Sequence, residues 1–218
     1  MTLDPALIPT DTAVSTYALT RDEAAERKAA AFLLGDNLER TTQGGGIYTY
    51  TSQQGAAAFR DTGSFDAAGS LSQENAEAFC RDFCKAFSYD TPIFTLDETG
   101  SGTATAVRLW NGTPVFNAAV TFTIDQGRVL SASGALLPET GAETSSGQKP
   151  LSAFAALTAF QQMRHASSSV VSSITEVSLC YELQSTTAAP MALVPSWRIV
   201  TDTATFYVNC ISGTVRRA

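Results

Sequence analysis

The sequence predicts an α+β protein of two units, each a helix packed on an antiparallel β-sheet, with an extra N-terminal helix and hairpin. Three segments have apolar residues at spacings of three and four, which is typical of amphipathic helices. Runs rich in Thr, Tyr, Phe and Val follow each segment between Gly-containing turns, which indicates antiparallel strands. The two later segments also end alike, at 122–129 and 207–215, in an aromatic-led strand, a polar turn and Gly-x-Val. This likeness indicates a loose internal repeat.

The helices are predicted where capping residues bracket an apolar stripe. Thr20 followed by Glu23 forms a capping box, and Gly35 occupies the position after a helix that favours glycine. Ser152 is the predicted cap of the last helix. The pattern therefore predicts helices over 21–34, 72–87 and 152–165.

The strands are predicted as short runs between turn residues. Residues 38–66 alternate such runs with glycines and form the N-terminal hairpin. Asn111-Gly112 predicts a type I′ hairpin turn, because both central residues of that turn need positive φ. The later strands are predicted at 92–98, 103–110, 114–124, 128–136, 173–183, 194–201 and 204–210.

Changes in composition along the chain predict its domain organisation. The segment 138–150 is rich in Gly, Ser, Thr and Glu and has no bulky apolar residue, which is typical of a linker. The sequence therefore divides into an extended lead-in (1–19), an N-terminal α+β unit (20–137), the linker, and a C-terminal α+β unit (151–218).

The charge balance argues against a nucleic-acid partner. The chain has 14 Lys and Arg against 21 Asp and Glu, a formal net charge of −7, whereas nucleic-acid surfaces are basic.

The longest unbroken apolar run, 29–34, is far shorter than the roughly 20 residues that span a bilayer. The first residues lack the basic and apolar regions of a secretory signal. Two interpretations stay open, a cytoplasmic protein or one whose targeting segment lies upstream of Met1.

The residues that could carry catalysis or bind a metal each have a structural interpretation. His165 is the single histidine, and its place at the end of the third predicted helix favours a capping or surface role. Cys80 and Cys84 lie one helical turn apart, a spacing that could serve a metal, but they share an apolar face and are predicted to be core. Cys180 and Cys210 lie on different strands of one predicted sheet, and whether they are bonded stays open.

Further candidates are also explained by local structure. Asp97, Glu98 and Asp125 could form an acid–base pair, but they adjoin Gly turns, where acidic residues are common. The glycines at 44–46 precede a strand and lack the Gly-Lys-Ser/Thr of a phosphate loop. Two tryptophans are predicted to pack in the core or on a sheet: Trp110 and Trp197. The sequence therefore predicts no enzyme, no cofactor and no metal.

The C-terminal segment resembles the end of PepSY-like domains. Its residues follow the pattern P-x-W-x-[IV], then Y-[IV]-[ND], then [ST]-G-x-[IV], at 195–199, 207–209 and 212–215. Leu179-Cys180-Tyr181 is similar to the L-x-Y strand of these domains. This resemblance implies that both predicted units are PepSY-like.

More of the chain, about residues 20–215, is similar to the YycH/YycI regulators of the WalK sensor histidine kinase in Gram-positive bacteria. The matching features are Leu33-Leu34-Gly35, the Tyr48/Tyr50 hairpin, Gly63-Ser64-Phe65 and Thr113-Pro114-Val115-Phe116.

The second resemblance implies a two-component system regulator. The chain would be an extracytoplasmic, membrane-anchored module whose single N-terminal membrane helix is missing from this sequence. Its partner would be the ectodomain of a sensor histidine kinase or a paralogous regulator. The alternative is a PepSY-type domain that inhibits a peptidase or binds a peptide. An unrecognised hydrolase is disfavoured by the single histidine and the absence of a catalytic motif.

Overall fold

The computed structural model describes residues 2–9, 14–72, 75–144, 149–167, 170–185 and 189–218. These residues contain three α-helices: α1 (Glu23–Leu34), α2 (Ala76–Ala86) and α3 (Ala153–Ser167). They also contain fourteen strands: β1 (Thr16–Leu19), β2 (Glu39–Thr42), β3 (Tyr48–Ser52), β4 (Gly55–Phe59), β5 (Ser64–Gly69), β6 (Ile93–Leu96), β7 (Gly102–Trp110), β8 (Thr113–Asp125), β9 (Arg128–Ala135), β10 (Ala142–Thr144), β11 (Ile174–Gln184), β12 (Met191–Thr201), β13 (Thr205–Asn209) and β14 (Val215–Arg217).

The balance of strands and helices overturns the predicted fold class. Strands dominate the described residues, with fourteen strands against three α-helices. The prediction of an α+β protein of two PepSY-like units, each a helix packed on an antiparallel sheet, is therefore wrong. The strands of the predicted N-terminal hairpin region, β2 to β5, join the later strands through the pairing of β5 with β9. A free strand edge has unpaired amides and readily takes a further strand, which makes such extension favourable.

The central unit comprises Leu19–Gly141 and Ser185–Met191. Its strands form an antiparallel sheet in the order β6-β7-β8-β9-β5-β4-β3-β2. Buried residues of α1, α2 and one face of this sheet belong to a single hydrophobic core. Side chains alternate between the two faces of a strand, so the opposite face of the sheet lies away from these helices.

The helices of the central unit begin later than predicted. Asp22, and not Thr20, caps α1, since its carboxylate accepts hydrogen bonds at 3.0 Å from two backbone N–H groups of the first turn. A carboxylate at this position also interacts favourably with the helix dipole. Asn75 caps α2 through its amide oxygen, which accepts from the backbone N–H of Ala78 at 3.1 Å, and residues 73 and 74 of the predicted helix lie outside the described residues. Gly35 ends α1 with φ of 80°, as predicted.

Phe83 of α2 lies at the centre of this core and is 0% exposed. Its ring contacts five other aromatic rings, with centroids 4.7 to 6.3 Å away: Phe32, Phe65, Phe87, Tyr89 and Phe122. Aromatic pairs at such distances add to the stabilisation from burial alone. The cluster therefore fixes α2 against the sheet.

Two tight hairpins set the register of the central strands. Asn111 and Gly112 have φ of 49° and 79°, and they join β7 to β8 with Trp110 opposite Thr113. This confirms the predicted type I′ turn. Gln126 and Gly127 adopt the same positive φ between β8 and β9.

The terminal unit comprises Met1–Ala18, Ala142–Gln184 and Ala192–Ala218. In it β11, β12, β13 and β14 pair antiparallel in sequence order. Helix α3, capped by Ser152 as predicted, shares a hydrophobic core with Trp197, Phe206 and other residues of one sheet face.

Short strands also form in the predicted linker and lead-in. Within the predicted linker 138–150, β10 pairs with β1 of the predicted lead-in. Residues 145–148 of that linker and residues 1 and 10–13 of that lead-in lie outside the described residues.

Candidate binding surfaces

The single histidine and the tryptophans have the structural positions that the sequence predicts. His165 is exposed in the last turn of α3, where a basic group interacts favourably with the helix dipole. Trp110 and Trp197 are 3% and 2% exposed, and the Trp197 indole N–H donates to the Leu151 carbonyl at 2.9 Å. These residues therefore stabilise the two units from within or cap a helix.

All four cysteines are free thiols and buried. Burial is the main cause that raises the pKa of Cys80, Cys84 and Cys210 to about 12, and it also raises that of Cys180. The reactive thiolate is therefore suppressed at neutral pH.

Cys180 lies opposite Ser196 of β12, and the Cys210 N–H donates to the Pro195 carbonyl across the other edge of that strand. Their backbones are thus two strand spacings apart, about 9.6 Å, too far for a disulfide.

The candidate carboxylates shape turns in the central unit. Asp97 Oδ1 accepts from the backbone N–H and hydroxyl of Thr99 and from the N–H of Ser101. These hydrogen bonds, led by that from the Thr99 side chain, lower the pKa of Asp97. The Ser101 hydroxyl donates to Asp125 at 3.0 Å. The structure thus brings Asp97 and Asp125 together around Ser101, in an exposed turn that needs acceptors.

Arg108 of β7 is a buried charge that sequence analysis missed. It is 2% exposed and donates to the carbonyl oxygens of Ser88, Leu109 and Leu137 at 2.6 to 3.1 Å. Desolvation by burial lowers its pKa. Alternation along β7 places Arg108 between the buried Ala106 and Trp110, and this pattern is the signal that could have found it. The bonds to three carbonyls indicate a structural clamp.

The face of the central sheet opposite α1 and α2 carries two rows of mostly short side chains across all eight strands. Ten of these sixteen residues are Thr or Ser, and none is buried. One row is Ile93, Thr105, Thr121, Ser133, Asp66, Ala58, Thr49 and Thr41. The other is Thr95, Thr103, Thr123, Ser131, Ala68, Ala56, Thr51 and Glu39. This hydroxyl face is rich in hydrogen-bonding groups, and most of its side chains are short.

The hydroxyl face ends at β6, a strand whose free edge is apolar. Within the described residues of the central unit, β6 pairs with β7 alone. The Asp97 N–H donates to the Ser101 carbonyl toward β7 at 2.9 Å. Hydrogen-bonding direction alternates along an antiparallel strand, so the amides of Phe94 and Leu96 point away from β7. Ile93 and Leu96 are 74% and 37% exposed. The strand therefore offers backbone donors and acceptors beside exposed apolar groups.

The terminal unit has a polar sheet face on the side away from α3. Ion pairs join Arg198 to Glu176 and Arg216 to Glu182, each at 2.5 Å. A cleft of about 200 Å³ opens in this face. It is lined by Glu182, Gln184, Tyr207, Asn209, Ser212, Thr214 and Arg216. Sequence analysis missed the cleft, because its residues come from three strands and a turn whose alignment the sequence does not specify.

Neither a membrane-spanning helix nor a metal centre is found in the described ranges. No helix there is long and apolar enough to cross a bilayer. No three His, Cys, Asp or Glu side chains of those ranges are grouped to hold a metal ion.

Comparisons with known proteins show the fold alone. No family model and no curated protein matches the chain. An uncharacterized protein from Eubacterium rectale ATCC 33656 has a similar structure, with a TM-score of 0.50 and 12% identity over 94% of this chain and 81% of that chain. The YpeB C-terminal domain of Bacillus megaterium, from a PepSY-containing protein, is weakly similar, with a TM-score of 0.41 and 14% identity over 91% of this chain and 98% of that domain. These findings give the YycH/YycI assignment no support.

Proposed function

We propose that this chain is a non-enzymatic binding module that takes an extended segment of a partner protein onto the free edge of β6. The observation that carries the proposal is the uncharged edge of Ile93–Leu96, with the amides of Phe94 and Leu96 directed outward. Peptides that add to a sheet edge gain affinity from main-chain hydrogen bonds and specificity from alternate side chains. The opposite edge, β2, carries Glu39 and Arg40, and charged side chains disfavour such addition.

The surroundings of β6 define the chemistry of the partner segment. A strand added beside β6 would place alternate side chains next to Ile93 and Thr95 and continue the hydroxyl face. Asp90, Asp97 and Glu98 are exposed at the two ends of β6. Opposite charges across an interface steer association. We therefore propose an extended segment with small or β-branched residues, flanked by Lys or Arg.

The sequence resemblance supplies the proposed biological setting. The partner would be a membrane sensor histidine kinase or a paralogous regulator, and the chain would act outside the cytoplasm beside it. In that setting a membrane tether supplies roughly millimolar effective concentration, which is sufficient for a weak contact made by a four-residue strand. The alternative is a PepSY-type domain that inhibits a peptidase or holds a peptide, and it would use the same β6 edge.

The edge is tested with peptides selected against the chain from a library of 12-residue segments. Leu96→Pro removes one outward N–H, and Ile93→Lys adds a charge at the edge. Each change should weaken the Kd measured by fluorescence anisotropy at least tenfold, because both oppose strand addition. Leu96→Ala, which keeps the amide, and Thr41→Lys on β2 are the matched controls and should retain binding. Equal affinity in all four variants would refute docking on β6.

The partner is tested separately with the sensor kinase encoded nearest to the gene. The chain, anchored with the kinase in the same vesicles, should change autophosphorylation, and Ile93→Lys should abolish the change. No hydrolysis of ester, peptide, phosphate or glycoside substrates is expected. If autophosphorylation is unchanged while the free chain blocks a neighbouring peptidase, the inhibitor alternative replaces the kinase proposal.

A further inference from the structure

The polar cleft of the terminal unit is a second candidate site, independent of the β6 edge. The cleft lies where β13 ends in its turn, on the face opposite α3. Its volume is about 200 Å³. That volume is below the range of about 300–1,000 Å³ for drug-sized ligands. The cleft is therefore suited to a single small ring.

An ion pair crosses the cleft. Glu182 of β11 is 8% exposed, and its Oε1 accepts from Arg216 of β14 at 2.5 Å. These residues lie on the first and last of four consecutively paired strands, so the Arg216 side chain reaches across the face. The two formal charges cancel. A ligand of either charge would meet a group of its own sign, which disfavours ions.

The other lining groups supply hydrogen-bond donors and acceptors. Asn209 Oδ1 accepts from the backbone N–H groups of Ile211 and Ser212 at 2.9 Å, so its amide NH₂ is the part left to donate to a ligand. Gln184 offers both a donor and an acceptor. The Glu182 carboxylate has acceptor capacity beyond its bond to Arg216. Closely spaced donors and acceptors match a molecule that carries several hydroxyl groups.

We propose that this cleft binds a neutral polyhydroxylated ligand of the size of one hexose. Each hydroxyl both donates and accepts, so it satisfies a mixed polar lining without disturbing the Glu182–Arg216 pair. A ligand with about a dozen heavy atoms in a cleft of this size binds with a Kd on the order of millimolar. The affinity of the isolated sugar unit is therefore modest.

The proposal is tested by NMR titration of the full chain with glucose, galactose, mannose and N-acetylglucosamine. At least one of them should bind saturably, and glucose 6-phosphate and glucosamine should bind at least tenfold more weakly than their neutral parent. Glu182→Ala should weaken binding at least tenfold. Gln184→Ala should do the same while it leaves the ion pair intact, so it keeps the test informative if Glu182→Ala misfolds.

Glu176→Ala is the control, because Glu176 forms a more exposed ion pair of the same length, 2.5 Å, with Arg198 on the same face but does not line the cleft. It should leave the Kd unchanged. The proposal is overturned if no neutral sugar saturates, if a charged analogue binds as tightly as its parent, or if Glu176→Ala weakens binding as much as the cleft variants do.

Discussion

Replacement of Phe83 by Ala should produce a large loss of stability in the central unit. A buried Phe→Ala change costs about 3–5 kcal/mol through lost burial and the cavity that remains. The Phe83 side chain is 0% exposed and contacts five aromatic rings, each pair worth about 0.5–1.5 kcal/mol beyond burial. These pair energies overlap with the burial energy, so we expect a loss near the upper end, about 5 kcal/mol.

The two tryptophans make this loss measurable in one unit. The chain has only 2 Trp, Trp110 in the central unit and Trp197 in the terminal unit. In a Trp197→Phe background, tryptophan fluorescence during urea unfolding reports the central unit. Phe83→Leu should lose less than Phe83→Ala and keeps the test informative if the Ala variant is unfolded. Ile93, which is 74% exposed on β6 of the same unit, is the control, and Ile93→Ala should change stability by at most about 0.5 kcal/mol.

The outcome that refutes this reasoning is a loss below about 1 kcal/mol for Phe83→Ala. Such a result would mean that the aromatic cluster collapses around the missing ring without a lasting cavity.

Four further predictions follow from local structure. Gly112→Val should lower the stability of the central unit by about 1 kcal/mol or more, since a Cβ there meets nothing within 4 Å and only the positive φ is penalised; an unchanged Tm contradicts it. Asp22→Ala should cost about 1 kcal/mol and Thr20→Ala almost nothing, because Asp22 is the cap; equal losses in urea unfolding would contradict this assignment. A thiol reagent at pH 8 should label no cysteine of the native chain and all four in denaturant. Burial raises the pKa of Cys80 in the folded chain to about 12, above an unfolded value of about 8.5. Its thiol therefore stabilises the fold below pH 8.5, and this contribution to the free energy of unfolding is lost as pH rises toward 12. Unfolding measured across this pH range should show the loss, and a constant free energy of unfolding would contradict the prediction.

The elements that sequence analysis located are those with strong local signals. The strands β7, β8 and β9 were predictable because Asn-Gly and Gln-Gly mark both turns and apolar residues alternate between them. The strands β1 and β10 were not, because β10 is only Ala142–Thr144 and has no apolar periodicity. Such a strand forms because a neighbouring strand, here β1, makes hydrogen bonds to its backbone. That neighbour is distant in sequence, so local patterns do not reveal it. The same limit hid the pairing of β5 with β9, which joins β2 to β5 to the later strands.

The candidate surfaces were harder to predict than the core. A row of Thr, Ser and Ala along each strand indicates a strand face but not which rows lie side by side. The alignment of Thr105, Thr121 and Ser133 across β7, β8 and β9 depends on register, and a shift of one residue would exchange the two faces of a strand. The cleft beside Glu182 depends on the register of four strands, so its lining could not be assembled from the sequence.

The two edges of the central sheet provide a comparison within one molecule. Both β2 and β6 have four residues, and short length by itself protects an edge from unwanted pairing. If short length alone protected an edge strand from unwanted pairing, neither edge strand would need charged side chains. Yet β2 also carries Glu39 and Arg40, whereas β6 consists of Ile, Phe, Thr and Leu. The two edges differ in charge and not in length, so β6 lacks a protection that β2 has, and the proposed partner strand would cover the exposed Ile93 there.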